Sequence, residues 1–318
     1  MTVRIGIVGS GFVASLHAQA LQQTPDVEIV AAASPNSEHV WVFTHCFDIP
    51  HAFIDYRDML QGDLVDAIIV ACPNDLHCDV TLAAASAGKH VLVEKPLAMN
   101  LTECDRMIRA CRDAAVLLMY GENLCFAPKY VRAKQLVDEG ALGDIYYVRQ
   151  LQCHDGPHAD WFWDVNRSGG GVLMDMGCHS IAFCRWLFGN AAVESVSAEL
   201  GRFVHRKRTK GDDHSLVVMR FAPASAPKGA DGGIGVAENS WARAGGLDDR
   251  AEIYGSRGLT VADLARGSAL STYSDPGYGY TIEKDSGNQG WTQTGFDEAW
   301  SEGFPQEIAH FVECVRDG

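Results

Sequence analysis

A glycine-rich turn after the first apolar segment constrains the fold of this chain more than any other feature. Residues Val3–Val8 are typical of a buried strand, and the pattern Gly9-Ser10-Gly11-Phe12-Val13-Ala14 (G-x-G-x-x-A) follows directly. The first glycine permits a tight turn, the second lets the backbone approach a pyrophosphate, and the small third residue permits close helix–strand packing. The following helix offers N–H groups and a partial positive charge to the phosphates. The pattern predicts a dinucleotide-binding βαβ unit with cofactor contacts at Gly9, Gly11, Phe12 and Val13.

Strand and helix patterns alternate over the first 120 residues. Strand patterns follow at 27–33, 66–72, 90–93 and 116–120, and helical patterns at 13–22, 76–87 and 101–114. Strands separated by helices of this length form right-handed βαβ units and a parallel sheet. Residues 1–122 are therefore predicted to be a Rossmann domain with a doubly wound parallel sheet.

The pattern changes after residue 122. A helix is predicted at 128–139, an inserted helix at 170–188 and an amphipathic helix at 305–315. Longer alternating strands are predicted at 144–152, 193–203, 215–221, 233–241, 250–254, 259–263 and 269–273. A loop rich in proline and glycine is predicted at 223–233. Residues 123–318 are therefore predicted to form an α+β domain with a mainly antiparallel sheet, which makes the whole chain an α/β protein.

Charge and cysteine content exclude several functional classes. The 26 lysines and arginines are outnumbered by 41 acidic residues, giving a net charge of −15 without a long basic block, so we expect no nucleic-acid or membrane partner. No apolar run reaches about 18 residues, and the first residues lack the layout of a signal peptide. The ten cysteines form no C-x-x-C pair and several lie in apolar stretches. Free thiols and a reducing, cytoplasmic location are the expectation.

The end of the second predicted strand bears on the choice of cofactor. An NAD site usually places an acidic residue there and an NADP site a nearby arginine. This chain has Ser34 instead, whose hydroxyl suits either a ribose hydroxyl or a phosphate, and it has no lysine or arginine between Arg4 and Arg57. Because nothing local neutralises a 2′-phosphate, the sequence favours NAD, and NADP stays open.

Two further strand ends carry polar residues where a doubly wound sheet lines its ligand crevice. Pro73-Asn74-Asp75-Leu76-His77 follows one strand, and Pro73, Asn74 and His77 are predicted to contact the cofactor, although His77 also suits helix capping or packing. Glu94-Lys95-Pro96 follows the next strand. Glu94 and Lys95 are predicted to lie near the cofactor, with Lys95 donating to a reacting oxygen. An ordinary Glu–Lys salt bridge is the alternative.

Two polar clusters in the second half are candidates for catalysis and substrate recognition. Asp175 and His179 have the i, i+4 spacing that places two side chains on one helical face, where a carboxylate orients an imidazole that takes a proton; a surface contact is the alternative. The segment 154–164 is rich in polar and aromatic groups. The predicted substrate contacts are Glu122, His154, His158, Asp160, Trp161 and Trp163, together with Lys95, Asp175 and His179. A purely structural aromatic cluster is the alternative for the tryptophans, and no metal site is expected because the spacing of zinc ligands is lacking.

Taken together, these motifs resemble those of the Gfo/Idh/MocA family (glucose–fructose oxidoreductase, inositol dehydrogenase and MocA). The shared stretches, in order along nearly the whole chain, are G-S-G-F-V-A, P-N-D-L-H, A-G-K-H-V-L-V-E-K-P-L, E-G-A-L-G-D-I, G-G-G-V-L-M-D-M-G-C-H and R-A-E-I-Y-G-S-R-G. The resemblance implies a substrate domain whose large open sheet packs against another subunit in dimers or tetramers. It also implies NAD(P)-dependent oxidation or reduction of sugars and polyols.

The resemblance also implies roles for single residues. The family's E-K-P lysine falls on Lys95, and its D-x-x-x-H pair falls on Asp175 and His179. In the implied reaction a hydride passes between nicotinamide and a secondary hydroxyl or ketone carbon. His179 takes the hydroxyl proton, Lys95 stabilises the developing alkoxide, and Asp175 positions His179 or binds a neighbouring hydroxyl. Redox-neutral glycoside cleavage or elimination, and a non-catalytic dinucleotide sensor, remain as alternatives.

Departures from the family pattern leave the substrate open. Ala182 stands where many relatives have an acidic residue, and Cys125 where many have arginine. The family also implies several tens of residues beyond the helix at 305–315. A chain without them is expected to expose apolar surface.

Overall fold

A computed structural model describes residues 2–223, 232–265, 270–274, 290–294 and 298–317. Most of the predicted 223–233 loop lies outside these residues. The chain forms two compact units, one of residues 1–123 with 303–318 and one of residues 124–302. The sequence-based division after residue 122 instead assigns residue 123 and residues 303–318 to the second domain.

Strands and helices alternate in the first unit. The elements are β1 (Val3–Val8), α1 (Phe12–Gln22), β2 (Val27–Ala33), α2 (Ser37–Cys46), β3 (His51–Phe53), α3 (Tyr56–Met59), β4 (Ala67–Val70), α4 (His77–Ser86), β5 (His90–Glu94), α5 (Leu101–Asp113) and β6 (Leu118–Gly121). All six strands are parallel, in the order β3-β2-β1-β4-β5-β6, which confirms the predicted Rossmann sheet. The order reverses between β1 and β4, and ligands of such sheets bind at the strands' carboxyl ends near this point.

The central strands of this sheet are apolar on both faces. Ile5 and Ile7 in β1, Ile68 and Ile69 in β4, and Leu92 in β5 are fully buried. A parallel sheet needs this composition because helices cover both of its faces. The continuous apolar runs in the sequence are therefore sufficient to identify these strands.

Elements α2, β3 and α3 do not follow from the pattern of the sequence. Helix α2 contains five consecutive residues of types that favour strands, Val40-Trp41-Val42-Phe43-Thr44, and it leaves Trp41 and Val42 exposed. Its local signal is an N-cap, since the Asn36 side chain accepts a hydrogen bond from the His39 N–H at 3.0 Å. Strand β3 has three residues and α3 has four, which is too short for a periodic pattern.

The second unit is built on a mixed sheet. Its elements are α6 (Pro128–Asp138), β7 (Ile145–Cys153), α7 (Val165–Ser168), α8 (Val172–Asp175), α9 (Gly177–Leu187), β8 (Val193–Gly201), β9 (His214–Phe221), β10 (Ile234–Ser240), β11 (Asp248–Gly255), β12 (Gly258–Asp263), β13 (Leu270–Ser274), β14 (Gly290–Thr294) and α10 (Glu298–Ser301). The large sheet has the order β12-β11-β7-β10-β9-β8, and only β7 and β10 pair in parallel. The mainly antiparallel sheet is confirmed. Strands β13 and β14 form a separate antiparallel pair.

One face of the large sheet carries the core of this unit. Val148, Phe221, Ala237 and Ile253 project from four of its strands into a cluster that also contains Phe183 of α9. Helix α9 thereby rests on the middle of the sheet. The sequence predicted one helix over 170–188, whereas the structure has two, α8 and α9, separated at Met176.

Helix α11 (Phe304–Asp317) belongs to the first unit because its apolar face packs against α1. Ile308, Phe311 and Val312 are buried, and the Phe304 ring meets the His17 ring edge-on with 5.2 Å between centroids. Among the described residues, no helix is both long and apolar enough to cross a membrane.

Candidate active site

The turn between β1 and α1 has the conformation and the space that a pyrophosphate requires. Gly9 has φ +124°, and a Cβ there would lie 2.1 Å from the Ala71 carbonyl oxygen, so only glycine fits. Gly11 is the N-cap residue of α1, so no side chain caps the helix there. A Cβ at Gly11 would meet no protein atom within 4 Å. Phe12 and Val13 begin the helix, whose first N–H groups lack intrahelical partners. The loop therefore leaves room over an electropositive helix end, and the residues present fit a dinucleotide.

Ser34 lies next to this turn. It is buried after β2, and its hydroxyl accepts a hydrogen bond of 3.0 Å from the Ser10 hydroxyl. The ribose-selecting position and the glycine-rich turn are thus brought together. Ser10 was not singled out in the sequence, although its place inside the G-x-G pattern gave a signal.

The loop after β4 is held by an imidazole. Pro73 precedes a short 3₁₀ turn, Asn74–Leu76, in which Asn74 is buried. Both ring nitrogens of His77 lie 2.9 Å from carbonyl oxygens, Nε2 from that of Cys72 and Nδ1 from that of Pro96. Burial lowers the pKa of His77 despite these contacts. This geometry favours the packing interpretation of His77, and its contact with the cofactor stays a prediction.

The Glu-Lys-Pro turn follows β5 as predicted. Glu94 is buried, and its Oε2 accepts a 3.1 Å hydrogen bond from the backbone N–H of Lys95. Oε1 of Glu94 lies 2.7 Å from Nε2 of His17, a buried residue of α1. The Lys95 side chain is half-buried, and the Lys95–Pro96 peptide is cis. Glu94 therefore pairs with a histidine and with the backbone, and the simple Glu–Lys salt bridge considered above is not needed to explain its burial.

Glu122 lies just beyond β6 in the first unit. It is buried, and its backbone N–H donates to the Tyr120 carbonyl oxygen at 3.0 Å.

Asp175 and His179 are both buried, but they do not share one helix. Asp175 is the last residue of α8, and His179 lies in the first turn of α9, where its N–H donates to the Met176 carbonyl oxygen at 3.1 Å. The glycines before α8 permit close packing within the protein, since a Cβ on Gly171 would lie 2.0 Å from the Asp212 carbonyl oxygen. Gly171 thus makes a close approach to the backbone of Asp212.

A tryptophan that the sequence analysis missed orients Asp175. The indole N–H of Trp241, which follows β10 and is fully buried, donates to Oδ2 of Asp175 at 3.0 Å. The Asp175 carboxylate therefore keeps one oxygen in a fixed hydrogen bond. The sequence held no local signal for this contact, because the two residues are 66 positions apart.

Polar contacts also anchor α9 beneath His179. The hydroxyl of its neighbour, Ser180, bonds to Gln150 of β7 and lies 2.7 Å from the side-chain oxygen of Asn239 of β10. Nε2 of Gln150 in turn donates to Asp249 at 3.0 Å. All of these side chains are buried, so the network ties the helix that carries His179 to the sheet.

The aromatic segment 154–164 divides into packed and accessible residues. Trp163 is buried, with the Arg208 guanidinium 3.9 Å from its ring centroid and the Trp241 ring 5.3 Å away, and its N–H donates to the Pro157 carbonyl oxygen. This packing favours a structural role for Trp163. Trp161 is half-buried and stacks on Phe162 at 3.8 Å.

The polar members of this segment divide in the same way. His154 is buried, and its Nδ1 accepts the Gly156 N–H at 3.0 Å. His158 and Asp160 are exposed.

The fold and this site together define a class: an oxidoreductase with an NAD-binding Rossmann domain and a second domain on a mixed sheet. The family model described as "Oxidoreductase family, NAD-binding Rossmann fold" matches residues 3–122, and the "GFO/IDH/MocA C-terminal domain" matches residues 130–261. The chain therefore belongs to the GFO/IDH/MocA oxidoreductase family.

Three relatives illustrate this membership. The chain is 28% identical to myo-inositol 2-dehydrogenase of Thermotoga maritima over 99% of this chain and 89% of that protein. It is 29% identical to scyllo-inositol 2-dehydrogenase (NAD(+)) of Bacillus subtilis, over 99% and 87%. The crystal structure of GenD2 from gentamicin A biosynthesis, in complex with NAD, superposes with a TM-score of 0.90 at 30% identity, covering 100% of this chain and 87% of that one.

Proposed function

We propose that this chain is an NAD-dependent dehydrogenase that interconverts a secondary hydroxyl and a ketone on a sugar, a polyol or a related compound. The observation that carries the proposal is the presence of Lys95, Asp175 and His179, at the motif positions given above, in a family member whose glycine-rich turn fits a dinucleotide. Relatives named as inositol dehydrogenases support the substrate class.

The first unit supplies the cofactor site in this proposal. Gly9, Gly11, Phe12 and Val13 hold the pyrophosphate at the start of α1, and Ser34 binds the ribose. Pro73, Asn74, His77 and Glu94 border the site from the ends of β4 and β5. Bound NAD supplies a hydride acceptor. The preference of the site for NAD over NADP rests on the neutral Ser34 and on the lack of a lysine or arginine between Arg4 and Arg57.

The proton chemistry falls to side chains of this chain. His179 accepts the hydroxyl proton of the substrate at a ring nitrogen. The Lys95 ammonium donates a hydrogen bond to the same oxygen and stabilises the negative charge that develops there. Asp175 orients His179 or binds a neighbouring hydroxyl. In the reverse direction, His179 returns the proton to the ketone oxygen.

Substrate recognition is assigned to Glu122 and to the segment 154–164. Trp161 is the better candidate for stacking on a sugar ring, because Trp163 is already packed within the protein. His154, His158 and Asp160 are the proposed partners of substrate hydroxyls.

The test is nicotinamide absorbance with purified protein, NAD⁺ or NADP⁺, and a panel of inositols, aldoses, sugar acids and glycosides. We expect reduction of NAD⁺ by a narrow set of polyols or sugars. Lys95→Ala and His179→Ala should each lower turnover by about 10²–10⁴-fold, the usual contribution of a general acid–base group, while NAD still binds. The exposed Lys207→Ala and His39→Ala variants are matched controls.

Three results would contradict the proposal. Turnover close to wild type in either Lys95→Ala or His179→Ala would remove the assigned roles. Release of a sugar from a glycoside without net cofactor reduction would point to redox-neutral chemistry instead, and cofactor binding without any turnover would point to a dinucleotide sensor.

We further propose a homodimer or homotetramer formed through the outer face of the large sheet. The face opposite α9 carries Val218 of β9 and Leu259 and Val261 of β12, which are 37%, 59% and 57% exposed. Exposed apolar residues clustered on one sheet face are a usual feature of subunit interfaces.

The proposed location is the cytoplasm. All ten cysteines lie among the described residues, and none of them forms a disulfide. Four of them are buried, and among these burial raises the pKa of the Cys153 thiol to about 11 and that of Cys184 to about 12. Ten cysteines with no disulfide among them are typical of a protein in a reducing compartment.

A further inference from the structure

A buried cluster of three ionisable side chains lies behind the Glu-Lys-Pro turn. It comprises His17 of α1, Glu94 at the end of β5 and Glu307 of α11, and we refer to it as the His17–Glu94–Glu307 cluster. One nitrogen or oxygen atom of each side chain lies within 4.8 Å of those of the other two. His17 and Glu307 are fully buried and Glu94 is 6% exposed. The reaction proposed above uses neither His17 nor Glu307.

The hydrogen bonds within the cluster are distributed unevenly. Glu94 uses one oxygen for His17 and the other for the Lys95 backbone N–H. Neither carboxyl oxygen of Glu307 accepts a hydrogen bond of normal geometry from a donor in the described part of the chain, and Nδ1 of His17 also lacks a partner there. A buried carboxylate without partners is costly, because it loses the solvation of its charge.

Charge makes ionisation of Glu307 more costly still. The titratable groups that face Glu307 are His17 from α1, Glu94 from β5 and Glu122 beyond β6. Burial, together with the negative charges of Glu94 and Glu122, raises the pKa of Glu307 well above that of an ordinary glutamate, and the Glu122 backbone amide opposes this only in part. Glu94, by contrast, has two hydrogen-bond partners, Nε2 of His17 and the backbone N–H of Lys95.

A metal ion is the alternative occupant, since one imidazole and two carboxylates suit a transition metal. The geometry favours a proton instead. Two ligands bound at 2.0–2.1 Å to one tetrahedral ion lie about 3.3 Å apart. Nε2 of His17 is only 2.7 Å from Oε1 of Glu94, which is the distance of a charge-assisted hydrogen bond.

We propose that Glu307 is a positioning residue for Lys95. In this role Glu307 is an uncharged carboxylic acid, and its O–H donates a hydrogen bond to the carboxylate of Glu94, which in turn holds the backbone of Lys95. The inference rests on the proposed function, since the catalytic role of Lys95 is part of that proposal. The chain of contacts runs from Glu307 to Glu94, within 4.8 Å, and from Oε2 of Glu94 to the Lys95 N–H at 3.1 Å. A small displacement of a reacting group is enough to slow catalysis strongly.

The proposal has a consequence for stability that needs no substrate. In the unfolded chain Glu307 loses its proton near its ordinary pKa of about 4.3, whereas in the folded chain it keeps it to higher pH. Because the folded protein binds the extra proton, stability is fully present below the unfolded pKa and falls as the pH rises through the window up to the folded pKa. A variant without the Glu307 carboxyl group should not lose stability in this way as the pH rises.

The experiment compares Glu307→Gln, Glu307→Leu and the control Glu313→Leu, which removes an exposed glutamate from the same helix. Glutamine keeps an uncharged donor, so Glu307→Gln should retain most of the turnover. Leucine lacks the donor, so Glu307→Leu should lower kcat about tenfold or more with little change in KM for NAD. Thermal unfolding between about pH 5 and pH 9 should show that the wild type loses stability relative to both Glu307 variants.

Several results would overturn the inference. Turnover in Glu307→Gln as low as in Glu307→Leu would show that an uncharged donor is not sufficient, and wild-type turnover in Glu307→Leu would remove the positioning role. Parallel pH profiles of stability, or one equivalent of a transition metal in the wild type that is lost in Glu307→Gln, would exclude the uncharged acid. Failure of the proposed function is distinguishable, because it appears as unchanged turnover in Lys95→Ala and leaves the unfolding profiles unaffected.

Discussion

At the scale of single residues, Trp241 makes the contact with the most direct consequence for the proposed chemistry. Its indole N–H donates to Oδ2 of Asp175, and both side chains are buried. A buried hydrogen bond to a charged group is worth about 1.5–3 kcal/mol, and its loss leaves the carboxylate less firmly oriented. Trp241 is thus a positioning residue for the proposed Asp175–His179 pair.

We expect Trp241→Phe to lower kcat by about tenfold, because phenylalanine keeps most of the packing against Trp163 but cannot donate to Asp175. The pH dependence of kcat should shift as well, since a less restrained carboxylate alters the proton affinity of its partners. Steady-state kinetics over a range of pH measure both effects. Trp41→Phe, which changes a tryptophan that is 72% exposed, is the control. A Trp241→Phe enzyme with the wild-type rate and pH profile would rule out this positioning role.

At the scale of elements, the two glycines between β1 and α1 have different tasks. Gly9 is required by the fold, because it combines φ +124° with a close approach to the backbone of Ala71. Gly11 is not restricted by its protein neighbours, since a Cβ there would meet nothing within 4 Å. The space above Gly11 is therefore available for the proposed cofactor.

We expect Gly9→Ala to lower the unfolding temperature strongly and Gly11→Ala to leave it nearly unchanged without cofactor. On addition of NAD, Gly11→Ala should gain less stability than the wild type, because the new methyl group occupies the space of the pyrophosphate. Thermal unfolding with and without NAD measures both effects. Equal stabilisation of the wild type and Gly11→Ala by NAD would place the pyrophosphate elsewhere.

The elements differ in how far the sequence predicts them. Strands such as β1 and β4 are continuous apolar runs, and the turn at Gly9 is a local pattern, so both follow from neighbouring residues. The start of α8 does not, because the Val172 N–H donates to the carbonyl oxygen of Asp212, a residue far along the chain. The same distinction applies to single residues. Asp175 and Lys95 lie in local motifs and were predicted, whereas Trp241 and Glu307 were not, because their contacts join residues far apart in the chain.

At the scale of the whole molecule, the proposed assembly depends on the outer face of the large sheet. Val218 and Val261 lie on this face, opposite the core residues Met219 and Ala262. A charge introduced there would have to be buried in a subunit interface, at a high cost in free energy, whereas the folded protomer would tolerate it.

We expect the wild type to sediment as a dimer or tetramer and Val261→Glu to sediment with a smaller mass while keeping its circular dichroism spectrum. Val42→Glu, which changes an equally exposed valine on α2, serves as the control. A monomeric wild type, or an unchanged mass for Val261→Glu, would remove this face as the interface.

The His77 ring has a consequence beyond the packing of one side chain. By touching the carbonyl oxygens of Cys72 and Pro96, it joins the loop after β4 to the turn that carries Lys95. The conformational entropy of both segments is then lost once, during folding, and does not have to be lost again when ligands bind. The binding energy of the cofactor can consequently appear as affinity, since little of it is spent on ordering these two loops.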